Sequence, residues 1–219
     1  MSKRVTIIHT VPTLEPVFSR LADELLPGVE QEHVVDASLL QDAIAHGGLT
    51  PAISGRLAAR IRDAEASGTD AILVTCSSVG ASAEQAARDA TVPVLRVDEP
   101  MVRRAIDAGS RIGVLATLSS TLEPTVELVR RLAVSKPVEV VPRVVAGAFD
   151  ALRAGDTERH DALIRAAFDE LQGDVDVVLL AQASMARVVD SLPEAARRVP
   201  VLSSPRLGVE RLAQAVGVG

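Results

Sequence analysis

The residue best suited to proton-transfer or covalent chemistry in this chain is its one cysteine, Cys76, in the run Thr75, Cys76, Ser77 and Ser78. Near neutral pH a thiol is a better acid, base and nucleophile than a hydroxyl. The run follows the apolar segment Ala71, Ile72, Leu73 and Val74, and it precedes Gly80 and a helical pattern near Ser82. At such a strand end, loop amides and a helix N-terminus stabilise a thiolate and lower its pKa. The plainer alternative is a small buried core thiol. The polar flank and the strand-end position favour chemistry.

Hydroxyls cluster at other strand ends too. Thr10, Ser77, Ser78, Thr117, Ser119 and Ser120 are candidates to bind a carboxylate, together with backbone N–H groups at helix starts. The same residues also serve as helix N-caps, worth about 1 kcal/mol each, and the two roles use the same geometry. His9 closes the first apolar run and is a candidate base; a hydrogen-bonded structural imidazole is the alternative. Glu15 and Glu123 each precede a proline and read as first-turn helix carboxylates. No glycine-rich phosphate loop follows any strand, and the four histidines lack metal-ligand spacing, so neither a phosphate-loop nucleotide nor a metal is expected.

These groups must be positioned by a fold, and the apolar pattern names its class. Strands are expected over residues 4–10, 33–36, 71–76, 92–97, 111–117, 138–145, 177–181 and 199–203. Most are continuous apolar runs rather than alternating ones, as in strands buried on both faces of a parallel sheet. Amphipathic stretches over 50–67, 81–89, 121–134 and 157–172 supply helices between them. Strand and helix alternating in this way is an α/β architecture.

The chain also repeats itself. Residues 4–10 read like 111–117; Thr13, Leu14, Glu15 and Pro16 recur as Thr121, Leu122, Glu123 and Pro124; residues 70–78 match 176–184; and 93–95 match 200–202. All four matches lie in order at offsets of 106 to 108 residues. That period is too long for a solenoid unit and is the size of a lobe. Two pseudo-symmetric lobes are therefore expected: 1–97, with a C-terminal helix over 205–219 packing back on it, and 98–204. Ligands of open parallel sheets bind beyond the carboxyl ends of the strands. Those ends carry His9 and Thr10; Thr75 to Ser78; Thr117, Ser119 and Ser120; and Gln182 and Ser184. A cleft between the lobes is the expected active site.

Composition excludes several classes. A net charge of −6 offers no basic surface for nucleic acid, and three phenylalanines with no Trp or Tyr offer no stacking platform. A single cysteine forbids an intrachain disulfide. No apolar run is long enough to span a membrane, and none at the start resembles a signal peptide, so a cytoplasmic location is expected.

Taken over nearly the whole chain, these residues resemble the aspartate/glutamate/hydantoin racemase superfamily. The likeness rests on the duplication, the strand end from Thr75 to Ser78, and Ala116 and Thr117 ahead of a Ser/Thr cluster. It implies two cysteines at pseudo-symmetric strand ends, moving the α-proton of a small acid without cofactor or metal. Here the repeat sets Gln182 opposite Cys76. An amide neither gains nor loses a proton near neutral pH, so a two-thiol racemase is excluded.

Three one-thiol chemistries remain within the resemblance. Cys76 works with another acid or base, His9 being the candidate; or it adds to an unsaturated diacid, as in maleate isomerase-like relatives; or it protonates a carbanion left by decarboxylation, as in arylmalonate decarboxylase-like relatives. The last type uses an aromatic hydroxyl, which this chain lacks. The expectation is thus a cofactor-independent, racemase- or isomerase-like enzyme acting on a small carboxylate. Cys76 and His9 are its catalytic candidates. Thr10, Ser77, Ser78, Thr117, Ser119, Ser120, Gln182 and Ser184 are its substrate-binding candidates. A decarboxylase is the first alternative, and a small-acid-binding protein without turnover is the second. Partners other than the substrate are not expected, and oligomeric state is open.

Overall fold

The computed structural model describes residues 3–218. In chain order the elements are β1 (Arg4–His9), α1 (Glu15–Leu25), β2 (Glu30–Val35), α2 (Ser38–Ala45), α3 (Pro51–Ala66), β3 (Ala71–Val74), α4 (Gly80–Ala86) and β4 (Val94–Arg96). Then come α5 (Glu99–Ala108), β5 (Arg111–Ala116), α6 (Ser119–Leu132), β6 (Glu139–Val144), α7 (Ala148–Arg153), α8 (Thr157–Leu171), β7 (Val177–Leu180), α9 (Ala186–Asp190), β8 (Val201–Ser203) and α10 (Ser204–Ala215). The chain divides into two compact units, Met1–Asp98 with Pro205–Gly219, and Glu99–Ser204.

The first unit holds a parallel sheet of order β2-β1-β3-β4. Its central strands are buried almost throughout because helices cover both faces. Val5, Ile7, Ala71 and Leu73 meet Phe18 and Ala22 of α1 and Val209 and Leu212 of α10. Ile8, Ile72 and Val74 meet Leu39 of α2 and Ile53, Leu57 and Ile61 of α3. Each such fully buried side chain contributes about 1.5–3 kcal/mol of transfer free energy. Gly208 lets α10 approach closely, since a Cβ there would lie 2.7 Å from Val97 Cγ2.

The second unit repeats the plan with order β6-β5-β7-β8, again parallel. Its helix-covered core is built on Leu115, Ile164, Phe168, Val178 and Leu180. The duplication extends to strand-start chemistry. Asp70 Oδ2 accepts from the Arg4 backbone N–H at 2.8 Å, and Asp176 Oδ2 accepts from that of Arg111 at 2.8 Å. These backbone hydrogen bonds are the main reason both carboxyls sit below the usual range.

The largest departure from the expected bounds is β2, which begins at Glu30 rather than 33. β6 runs through Pro142, as its expected range did. Both are edge strands, half-exposed, where polar residues cost little and a proline can face the unpaired side. Among the described residues no helix is long and apolar enough to cross a membrane.

Candidate active site

In the first unit, β1 and β3 pair with Ile8 opposite Val74. Continuing that register sets His9 beside Thr75 and Thr10 beside Cys76, with successive side chains on opposite faces of the sheet. Cys76 is extended (φ −129°, ψ 116°) and half-buried, and its side chain packs with the Ile8 and Val74 cluster. A 3₁₀ turn, Ser77–Val79, carries the chain directly into α4 at Gly80. The helix thus starts two residues before the pattern near Ser82 implies.

The thiol faces a set of donors. The Thr10 hydroxyl, the backbone N–H groups of Ser78 and Val79 and the Ser78 side chain all act to stabilise its anion. Burial acts the other way and dominates, so the Cys76 pKa lies above its ordinary value. This corrects the expectation of a lowered pKa: α4 is short, and a desolvated sulfur loses more than the donors return. At neutral pH the free protein carries a thiol with its anion-stabilising donors already in place. Thr10 Oγ1 is buried without a hydrogen-bond partner, and it lies near enough to the sulfur to stabilise its anion.

His9 lies on the other face. Its imidazole is fully buried beside Phe18, with ring centroids 5.5 Å apart. Nδ1 is 3.1 Å from Thr75 Oγ1 and Nε2 is 2.9 Å from His33 Nδ1. His33 reaches Gln31 Oε1 at 3.3 Å, and Gln31 donates to Asp23 at 2.8 Å. Burial, then the His33 charge, push the His9 pKa down to about 4. His9 is therefore neutral near pH 7, and strand alternation keeps its ring off the face that carries Cys76.

The second unit has an equivalent strand end. Gln182 follows β7 in the extended region (φ −129°, ψ 135°), and a 3₁₀ turn, Ala183–Met185, leads into α9. This is the backbone path of Cys76 and its turn. The Gln182 Oε1 accepts from Thr117 N–H at 2.6 Å and from Thr117 Oγ1 at 2.9 Å. Ser184 is half-exposed in the turn. Ser119 is exposed and Ser120 half-exposed in the first turn of α6, whose N-cap, Leu118, offers no side-chain oxygen. Neither serine caps its helix from the N-cap position.

The structure thus gathers Thr10, Cys76, Ser77 and Ser78 at one strand end, and Thr117, Gln182 and Ser184 at its repeat, with Ser119 and Ser120 one turn on. Sequence reasoning missed Arg96, Asp98 and Glu84, which form a buried ion cluster beside Gly80. Asp98 lies in the turn just past the end of β4, so strand periodicity gave no signal for the pair. Among the described residues no group of three His, Cys, Asp or Glu side chains is placed to hold a metal ion.

Comparison with known proteins gives this geometry its context. The fold matches a glutamate racemase from Bacillus anthracis with TM-score 0.73 at 17 % identity, over 97 % of this chain and 80 % of that one. It matches an allantoin racemase from Klebsiella pneumoniae with TM-score 0.73 at 18 % identity, over 100 % and 90 %. A Picrophilus torridus aspartate racemase matches with TM-score 0.74 at 16 % identity, over 98 % and 94 %. No curated protein matches by sequence. A family profile described as Asp/Glu/Hydantoin racemase matches residues 3–212, nearly the whole chain. The chain belongs to the Asp/Glu/hydantoin racemase family.

Proposed function

We propose that this protein is a cofactor-independent, cytoplasmic enzyme of the racemase and isomerase type, acting at the α-carbon of a small carboxylic acid through Cys76. One observation carries the reading: the thiol stands at a strand end, half-buried, with the Thr10 hydroxyl and the Ser78 and Val79 amides already directed at it. That arrangement favours a sulfur that changes protonation state or bonds during reaction. Thr10, Ser77, Ser78, Thr117, Ser119, Ser120 and Ser184 are assigned to the substrate's carboxylate. The NH₂ group of Gln182 is assigned to the enediolate that forms as the α-carbon loses a substituent. His9 is assigned a supporting role: its hydrogen bonds hold the β1 and β3 ends in register.

One thiol and an amide at the equivalent position make proton delivery one-sided. A raised thiol pKa suits donation, because the group is protonated when the carbanion forms. That observation favours a second reading, in which the carbanion comes from decarboxylation of a malonate-type diacid.

Turnover in deuterated water against a panel of amino acids, hydantoins, unsaturated diacids and substituted malonates tests both. The expected product carries deuterium on a single face, and Cys76→Ser abolishes its formation. Free equilibration of both enantiomers by the wild type, at a rate His9→Ala leaves untouched, overturns one-sided delivery by Cys76, and full activity of Cys76→Ser sinks the proposal. A decarboxylated, singly deuterated product selects the second reading.

A further inference from the structure

Beneath the turn that carries Cys76 lies a charged cluster that the chemistry does not use. Val74 of β3 pairs with Arg96 of β4, so the Arg96 side chain emerges on the sheet face that holds Cys76. Arg96 is 4 % exposed. Nε donates to Asp98 Oδ1 at 2.7 Å, Nη2 to Asp98 Oδ2 at 2.8 Å, and Nη1 to Glu84 Oε1 at 2.9 Å. Asp98 is fully buried. The plane of the guanidinium lies against Gly80: a Cβ there would be 2.5 Å from Cζ and Nη2, and 2.8 Å from Nε. Only glycine fits, because the two-pronged bond to Asp98 keeps Arg96 from retreating.

Gly80 and Glu84 are four residues apart and share one face of α4. Gly80 rests on the guanidinium and Glu84 clasps its edge, so the first turn of α4 is fixed in both height and rotation. The Ser77–Val79 turn runs directly into that helix turn. Ser78 and Val79, whose N–H groups face the sulfur, lie two residues and one residue before Gly80.

We infer that the Arg96, Asp98 and Glu84 cluster is a positioning device for Cys76, holding Gly80 so that the Ser78 and Val79 amides stay aimed at the thiol. The inference rests on the reading that Cys76 does chemistry, and it adds residues that touch no substrate. A buried ion cluster is a weak source of stability, since apolar groups of similar size often replace one without loss. What an apolar replacement would not supply is the planar, hydrogen-bonded seat on which Gly80 rests.

The test is the pH dependence of Cys76 alkylation by iodoacetamide in the folded protein, for wild type, Arg96→Lys and Gly80→Ala. Leu212→Ala in α10 serves as a control that loosens the same unit elsewhere. Lysine keeps the charge but not the fork. Arg96→Lys and Gly80→Ala should move the alkylation midpoint upward by about one pH unit, lowering the rate below the midpoint about tenfold, because a misaimed amide no longer stabilises the thiolate. Leu212→Ala should leave the midpoint in place. Should Arg96→Lys fail to fold, Glu84→Gln, a change at a part-exposed carboxylate, carries the same expectation with a smaller upward shift. An unchanged or lowered midpoint in the folded variants overturns the inference while leaving Cys76 chemistry standing. A wild-type thiol that reacts only after denaturation overturns both.

Discussion

Gln182 Oε1 accepts two hydrogen bonds from one residue, Thr117, through its backbone N–H at 2.6 Å and its hydroxyl at 2.9 Å. An amide is ambiguous end for end until its network orients it. Here both donors fix the oxygen, so the NH₂ group is the end left to face elsewhere. At the strand end equivalent to that of Cys76, the second unit therefore presents an oriented hydrogen-bond donor where a thiol is absent.

That orientation makes the Gln182→Glu change informative. A carboxylate still accepts both Thr117 bonds, so the local fold should persist, but a donor becomes an anion. If Gln182 addresses an anionic substrate or enediolate, carboxylate binding measured by calorimetry should weaken at least about tenfold, since like charges facing one another are costly. Thr117→Val removes the hydroxyl bond but keeps the backbone one, and should weaken binding less. Equal affinity in wild type and Gln182→Glu removes Gln182 from the site.

The pair His9 and His33 sets an acid limit on stability. His9 is driven down to about 4 in the folded protein, against an ordinary value near 6.5. Below 6.5 the unfolded chain takes up the proton more readily than the folded one, so stability is complete above that pH and is lost as the pH falls from about 6.5 to 4. The loss from this group is on the order of 2–3 kcal/mol. Carboxylates held low by hydrogen bonds, Asp70 and Asp176 among them, act in a lower window. Urea midpoints measured between pH 4.5 and 7 should fall on acidification in wild type and hold nearly level in His9→Gln. A wild-type midpoint that is flat over this range contradicts a buried neutral His9.

How much of this was legible follows from what each residue does. Ala71 to Val74 are buried on both faces, and an uninterrupted apolar run states as much. The duplication showed because Asp70 and Asp176 keep the same hydrogen bonds to the starts of β1 and β5. The start of β2 was hidden because Glu30, Gln31 and Glu32 sit on an edge strand and resemble a loop in composition. At the site, the strand-end clustering of Thr10 and Cys76 could be read from the sequence. The face that His9 takes could not, since it depends on the register of β1 with β3 and on Phe18 and His33 waiting on the far side. The sign of the Cys76 shift was equally hidden, because it is a balance of burial against donors that only packing decides.

Phe18 links the core to this network. It is fully buried in α1 among Val5, Ile7, Ala22 and Leu73, and it also covers the His9 ring. Phe18→Ala should cost about 3–5 kcal/mol in urea denaturation, the usual range for an emptied aromatic site. The cavity should also admit solvent to His9. In an NMR titration its pKa should then climb from about 4 toward the ordinary value, because burial is the main cause of the depression. A destabilised variant with an unmoved His9 titration would mean that the His33 contact, rather than burial, sets the value.

The Gln182→Cys substitution asks whether the missing thiol is what limits the chemistry. Cys76 and Gln182 share nearly the same backbone conformation and each leads into a 3₁₀ turn and a helix, so a cysteine at 182 takes up an equivalent pose. It forfeits the Thr117 bonds, which leaves the Thr117 N–H and hydroxyl free to stabilise a thiolate as the Ser78 and Val79 amides do for Cys76. If both strand ends act on one substrate, as the proposed function requires, an α-carbon is deprotonated by one thiol and reprotonated by the other. On a chiral amino acid or hydantoin that wild type processes slowly or not at all, Gln182→Cys should introduce interconversion of enantiomers, read by loss of optical rotation. Deuterium from solvent should then appear in both enantiomers rather than one. The double variant Cys76→Ser with Gln182→Cys should lose that gain, because a lone thiol at 182 restores one-sided delivery. If Gln182→Cys folds, binds the acid and still delivers deuterium to one face only, the two strand ends do not act on the same carbon, and the role assigned to Gln182 falls with that result.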